Sequence, residues 1–251
     1  TELLLVEADA DVNGRGFDGK TAVVIAAEIG NEELTRLLLD HGADVNVPAD
    51  DGSTALMLAV ERGHKEIVDL LLLSGADTSP SRVGNWSALS IAADAGARDI
   101  VQRLVEAGVN VNAQPGGTIT ALGRAAANGY VDIVTVLIDA GADVNGLSET
   151  GWTALMLAAR DGHVQMMQVL LEAGADPGGQ DGNSGLTTLI LAASVGQSVA
   201  VSLLIDAGAD IDTGFDRGRT ALMLAAEGGY LEVVQILVEA GAGVNVVDEG
   251  R

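Results

Sequence analysis

The sequence predicts an all-α solenoid of stacked helix-turn-helix units, and three periodic series of residues carry that prediction. A glycine recurs at Gly30, Gly63, Gly96, Gly129 and Gly162, each 33 residues after the last, then at Gly196 and Gly229 after one step of 34. A second series, Gly42, Gly75, Gly108, Gly141, Gly174, Gly208 and Gly241, carries the same slip. A third, of hydroxyl residues, precedes the first: Thr21, Thr54, Ser87, Thr120, Thr153, Thr187 and Thr220. Such a period marks an array in which each unit buries its apolar face on its neighbours.

Each element follows from its residues. The hydroxyl residue is an N-cap whose oxygen accepts a free backbone N–H of the first turn. The apolar run after it, such as 153–159, is a first helix of about two turns. It ends where a glycine supplies a left-handed residue. Five and six residues past the cap stands an alanine pair, from Ala26–Ala27 to Ala225–Ala226, interrupted only at Val60. Small side chains there let neighbouring helices approach closely. A second helix follows, with an acid or amide in its first turn (Glu33, Glu66, Asp99, Asp132, Gln165, Glu232) that suits the positive end of the helix dipole. Ile133, Val134, Leu137 and Ile138 show its buried stripe, and Leu38, Leu71, Leu104, Leu137, Leu170, Leu204 and Leu237 fill one slot throughout. The second glycine series stops this helix. Gly-Ala-Asp-Val-Asn at 42–46 and 141–145 then leads into a glycine-rich, hairpin-like loop. The single extra residue falls in the stretch from Gly178 to Gly185, a lengthened hairpin and not a linker.

These motifs and their spacing resemble the ankyrin repeat, and the likeness covers essentially the whole chain. One domain over 1–251 is expected: a half-repeat over 1–13, seven repeats at about 14–46, 47–79, 80–112, 113–145, 146–178, 179–212 and 213–245, and the start of another at 246–251. Two departures recur. The family's proline after the cap is here alanine, or Thr188 once. Its histidine three residues past the cap is here Val24, Met57, Ser90, Gly123, Met156, Ile190 or Met223, so apolar packing is expected to replace the threonine–histidine hydrogen bond. Asp9 fills a glycine slot, which aspartate tolerates at some cost.

Composition narrows the function. The formal net charge is −23, which repels nucleic-acid phosphates and disfavours an anionic membrane face. A protein partner with a basic surface suits that charge, as does simple solubility. There is no cysteine, hence no disulfide framework. No apolar run reaches the length of a membrane span. The expected location is cytoplasmic, and the expected state a monomer within a longer array, with uncapped end repeats able to associate end to end.

The resemblance implies a protein-binding module that offers a concave face of hairpins and first helices. On that basis the residue just before each cap meets the partner: Lys20, Ser53, Trp86, Ile119, Trp152, Leu186 and Arg219. Both tryptophans of the chain occupy this slot, and with Ile119 and Leu186 they form an apolar row. The row either anchors a partner or covers the neighbouring hairpins, half buried. Phe17, Ile29, Arg62, Arg160 and Arg219 stand in further contact slots. Another reading makes the chain the regulatory or targeting part of a longer enzyme or channel.

Other motifs carry less. Gly14-Arg-Gly16-Phe-Asp-Gly19 has the glycine spacing of a dinucleotide loop but follows a helix where that loop needs a strand. Asp9 to Gly14 begins like a calcium loop, yet the position that requires glutamate holds Lys20. Asp210, Asp212 and Asp216 read as solvated turn residues, with weak calcium binding by these hairpin carboxylates as the lesser alternative. His64 and His163 lie three repeats apart, which excludes a shared metal site with His41. The sequon Asn85-Trp86-Ser87 falls on a hairpin and cap. No nucleophile–base pair or carboxylate pair stands out, so neither catalysis nor a cofactor nor a metal is expected.

Overall fold

A computed structural model describes residues 11–117 and 119–247. The expected half-repeat, including Asp9, lies almost wholly outside the described residues, as do residues 248–251. The chain forms two compact units, residues 1–116 and 117–251. The first contains α1 (Ala22–Ile29), α2 (Glu32–Asp40), α3 (Ala55–Glu61), α4 (Lys65–Leu73), α5 (Ala88–Asp94) and α6 (Arg98–Glu106). The second contains α7 (Ala121–Ala127), α8 (Val131–Asp139), α9 (Ala154–Arg160), α10 (Val164–Glu172), α11 (Thr188–Ser194), α12 (Ser198–Asp206), α13 (Ala221–Glu227) and α14 (Leu231–Glu239). In each unit the odd-numbered first helices pack on one another, the even-numbered second helices do likewise, and each pair closes on itself. No described helix is long and apolar enough to cross a membrane.

The three periodic series do what their chemistry requires. Thr54, Thr120, Thr153, Thr187 and Thr220 each accept the N–H three residues on, at 3.0–3.4 Å. Thr21 departs from the expectation: its hydroxyl makes no capping bond and is buried without a partner. The first glycine series has φ of 70–78° and the second 80–96°, a region where a Cβ is costly. The repeated leucines, Leu38 to Leu237, are all buried, and so are the alanine pairs except Ala226 on α13.

The slot that lacks the family histidine is filled variously, with Met223 half buried and Gly123 bearing no side chain. Val24, Met57, Met156 and Ile190 are buried apolar residues, as expected. Ser90 corrects that expectation. Its hydroxyl accepts the Ser87 N–H at 2.9 Å while Ser87 accepts the Ser90 N–H at 3.2 Å, a reciprocal capping box. Both serines are buried, so two short hydroxyls satisfying each other are what this helix start can hold.

The loops are mostly turns. Ser81–Arg82 (β1) and Trp86–Ser87 (β2) form a two-residue antiparallel ladder, with Arg82 opposite Trp86. Isolated bridges join Gln180 to Thr187 and Phe215 to Arg219. The extra residue lies in the 181–186 hairpin. Asp181 N–H donates to Leu186 O, and its carboxylate accepts the N–H groups of Ser184 and Leu186, each at 2.9 Å. Burial raises the pKa of this carboxyl, but the hydrogen bonds from Ser184, Leu186 and Gly185 outweigh it and hold the value low. Residues 16–20 form a turn closed by Gly16 N–H to Lys20 O.

Candidate binding face

The residue before the cap sits where a hairpin runs into a first helix, so its side chain lies across the start of that helix. In residues 1–116 this slot is largely polar. Lys20 donates to Glu28 at 2.7 Å, and Arg62 reaches the other oxygen of Glu28 at 3.4 Å. The Lys20 hydrogen bond holds the Glu28 carboxyl below its ordinary pKa, against a smaller upward push from burial. Ser53 is buried and donates to Asp51 at 2.8 Å. Trp86 is half buried on β2; Arg82 opposite it grips Glu61 through two hydrogen bonds of 2.8 and 3.2 Å. Phe17 is fully exposed at 107%, and Ile29 is 63% exposed at the end of α1. Arg62 is exposed and tied into the Glu28 trio.

In residues 117–251 the same slot is apolar three times running. Ile119, Trp152 and Leu186 are all half buried. Ile119 lies over Gly123: a Cβ built at Gly123 would stand 2.6 Å from Ile119 Cγ2. Ile119, Arg124, Ser148, Glu149 and Thr150 line a crevice of about 220 Å³. Trp152 is clamped at both ends. Its backbone N–H donates to Ser148 Oγ and its carbonyl accepts the Ser148 N–H, each at 3.0 Å. The Arg160 guanidinium lies 5.4 Å from the Trp152 ring centroid, a cation–π distance. Arg160 also grips Asp161 through two bonds of 2.7 and 2.6 Å. That hydrogen bonding lowers the Asp161 pKa and raises that of Arg160, burial opposing it in both. Arg219, last in the slot, pairs with Glu227.

The expected sites thus divide by unit. Phe17, Ile29, Arg62 and Trp86 belong to the first, and Ile119, Trp152, Arg160, Leu186 and Arg219 to the second. Trp152 and Arg160 are brought together, with Asp161 as a third member that sequence reading missed. Asp210 and Asp212 are engaged in the turns, accepting the N–H groups of Asp212 and Gly243 at 3.0 and 2.9 Å. Among the described residues no three His, Asp or Glu side chains cluster to hold a metal ion.

Two sets of inter-repeat ties also escaped notice. His64 Nε2 contacts Glu28 O at 3.3 Å, His163 Nε2 contacts Ala127 O at 3.1 Å, and Gln197 donates to Arg160 O at 3.3 Å. Each reaches from the start of a second helix to the end of the first helix of the preceding repeat, satisfying a carbonyl that helix leaves open. Asn13, Asn46 and Asn145 accept the N–H of Asp44, Asp77 and Asp176 at 2.8–2.9 Å, and Asp212 does the same for Gly243. The recurrence of Asn at that slot was the available signal.

A two-layer stack of short helix pairs, with hairpins presenting side chains beside the first helices, defines a repeat solenoid of the binding-scaffold class. The sequence matches the family model for ankyrin repeats in three copies, over residues 1–82, 89–181 and 173–248, and the chain belongs to that family. Ankyrin repeats are generally protein–protein interaction modules. No curated protein matches the sequence.

Proposed function

We propose that this chain is a non-catalytic module that docks a partner protein on the hairpin and first-helix face of residues 117–251, anchored on Ile119, Trp152 and Leu186. The observation that carries the reading is Trp152. A large aromatic side chain is left half exposed, yet its backbone is fixed by Ser148 and its ring is covered by Arg160, itself paired with Asp161. A pre-ordered aromatic loses little side-chain entropy on binding, and such residues dominate interface energies, often by about 2 kcal/mol or more each. Ile119 and Leu186 flank it in the same slot of adjacent repeats. Phe17, Ile29, Arg62 and Trp86 extend the same kind of surface within residues 1–116, and Arg219 borders it in the second unit.

The test is capture of partners from source-cell lysate on immobilised chain, followed by direct affinity measurement with each purified candidate. An Ile119→Ser, Trp152→Ser, Leu186→Ser variant of matched helicity should lose those partners. Equal affinity of variant and wild type for the purified partner would move the docking site elsewhere.

A further inference from the structure

The first residue of each second helix is a surface slot, and the two units fill it differently. In residues 1–116 it holds Glu32, Lys65 and Arg98; in residues 117–251 it holds Val131, Val164, Ser198 and Leu231. The charged fillings show that packing does not require an apolar side chain there. Leu231 is 69% exposed nonetheless. Beside it, Val199 is 59% exposed, where the neighbouring repeats have Gln165 and Glu232. Val195 is 40% exposed, where Asn128 and Asp161 stand in the repeats before it. The Tyr230 ring joins them: it lies so close under the loop that a Cβ at Gly196 would meet its Cδ1 at 2.5 Å. Val195, Val199, Tyr230 and Leu231 therefore form one apolar edge at the N-terminal ends of α12 and α14, with Val164 half exposed on α10 as its continuation.

The charge on the second helices that form this edge is of one sign. The helices α8, α10, α12 and α14 contain no lysine or arginine, while Asp132 and Glu232 occupy their first turns. Asp161, on the adjoining loop, is already neutralised by Arg160, so the acids of this edge are Asp132 and Glu232. Exposed aliphatic side chains rimmed by carboxylates are complementary to a segment with an apolar stripe and basic flanks.

We propose that this edge is a second docking site, separate from the hairpin face, and that its occupant is a basic amphipathic helix of a partner protein. The contact lays the helix's apolar stripe along Val164, Val199 and Leu231, and its lysines or arginines meet the flanking acids.

The probe is a peptide of about 18 residues, five helical turns, with leucines on one face and lysines on the other. A leucine–glutamate peptide is its control. Binding is read by fluorescence anisotropy against the whole chain. The variant is Val195→Asn, Val199→Gln, Leu231→Ser. It leaves the net charge unchanged, and each new residue is one the chain itself uses in that slot of another repeat. We expect saturable binding of the lysine peptide, none of the glutamate peptide, and roughly tenfold or greater weakening in the variant. Leu231→Ser alone, matching Ser198, serves if the triple variant does not fold, and should weaken binding severalfold. The Trp152→Ser, Leu186→Ser chain should bind the peptide as wild type does, which separates this site from the hairpin face. Equal binding by wild type and edge variant would reduce the attraction to general charge and overturn the proposal. So would absence of binding, or sedimentation showing a wild-type dimer that the edge variant abolishes, since a second copy would then cover the edge.

Discussion

The two units share one core and differ in what they put on it. Both bury the same leucine slot and, Ala226 apart, the same alanine pairs, and both stop their helices at glycines of positive φ. Yet the second helices of residues 1–116 carry Arg36, Lys65, Arg98 and Arg103, and Lys65–Asp99 and Arg103–Asp69 brace neighbouring repeats. In residues 117–251 every described cation (Arg124, Arg160, Arg217 and Arg219) lies on a first helix or hairpin. There the repeats are tied by His163, Gln197 and Asn145, whose counterparts His64, Asn13 and Asn46 tie the first unit as well. The slot before the cap shifts in the same sense though not completely, from Lys20, Ser53 and Trp86 to Ile119, Trp152, Leu186 and Arg219. Since the core tolerates both surfaces, the apolar and polarised surface of the second unit is not explained by folding. The docking sites proposed above would account for aliphatic and aromatic side chains in these water-facing slots.

The largest effects should be the same in both units if the cores are equivalent. Leu71→Ala and Leu170→Ala each remove a fully buried side chain packed within its own unit, and each should cost about 2–5 kcal/mol. Urea denaturation followed by circular dichroism checks this. A difference of more than about 2 kcal/mol between the two would break the equivalence on which the surface comparison rests.

A smaller effect of opposite sign is expected at Thr188. Its hydroxyl is buried without a partner, in a slot where every other described repeat has alanine. Thr188→Val keeps the shape and removes the orphan group, so it should stabilise by about 1–2 kcal/mol. A loss of stability would mean that the hydroxyl is bonded in solution. The caps refine the comparison further. Thr153→Ala removes a working cap and should cost about 1 kcal/mol. Thr21→Ala removes an oxygen that caps nothing and should cost clearly less. Thermal melts of the two variants side by side decide it.

The features that were legible in the sequence are those fixed by a single repeat. A glycine at positive φ, a capping threonine and a leucine against its own helix partner each answer to local geometry, and the period multiplies the signal. What was not legible depends on the repeat next door. Trp86 and Trp152 stood out as a shared slot, but their half burial is set by a hairpin ladder in one case and by Arg160 in the other. Gly123 showed only as a missing histidine; its use, making room for Ile119, is a contact between loop and helix. His64 and His163 were set aside as too distant to share a metal, and the carbonyl each one meets lies in the preceding repeat. Ser90 shares a slot with apolar residues in the other repeats, and only its reciprocal hydrogen bonds with the cap Ser87 distinguish it.

The smallest effect probes the Trp152 clamp directly. Arg160 lowers the pKa of Asp161, so the pair's contribution is fully present above the ordinary aspartate value of about 3.9 and is lost as pH falls through the lower, folded-state value. In a Trp86→Phe background the fluorescence of Trp152 should therefore hold steady from neutral pH to about 4 and change only below it. Arg160→Gln should return the Asp161 titration, followed by its carboxyl carbon shift, to the ordinary range. It should alter Trp152 fluorescence already at neutral pH, because the stacked cation is gone. The stability cost should stay below about 1 kcal/mol, as for other partly exposed pairs. Glu28 offers the control in the first unit: its pKa is lowered by Lys20, with no aromatic ring beside it, so Arg160→Gln must leave it unmoved. If Trp152 fluorescence ignores both the acid titration and the substitution, the ring is not held by Arg160. The anchor would then have to order itself on binding, and Trp152 would contribute correspondingly less to affinity.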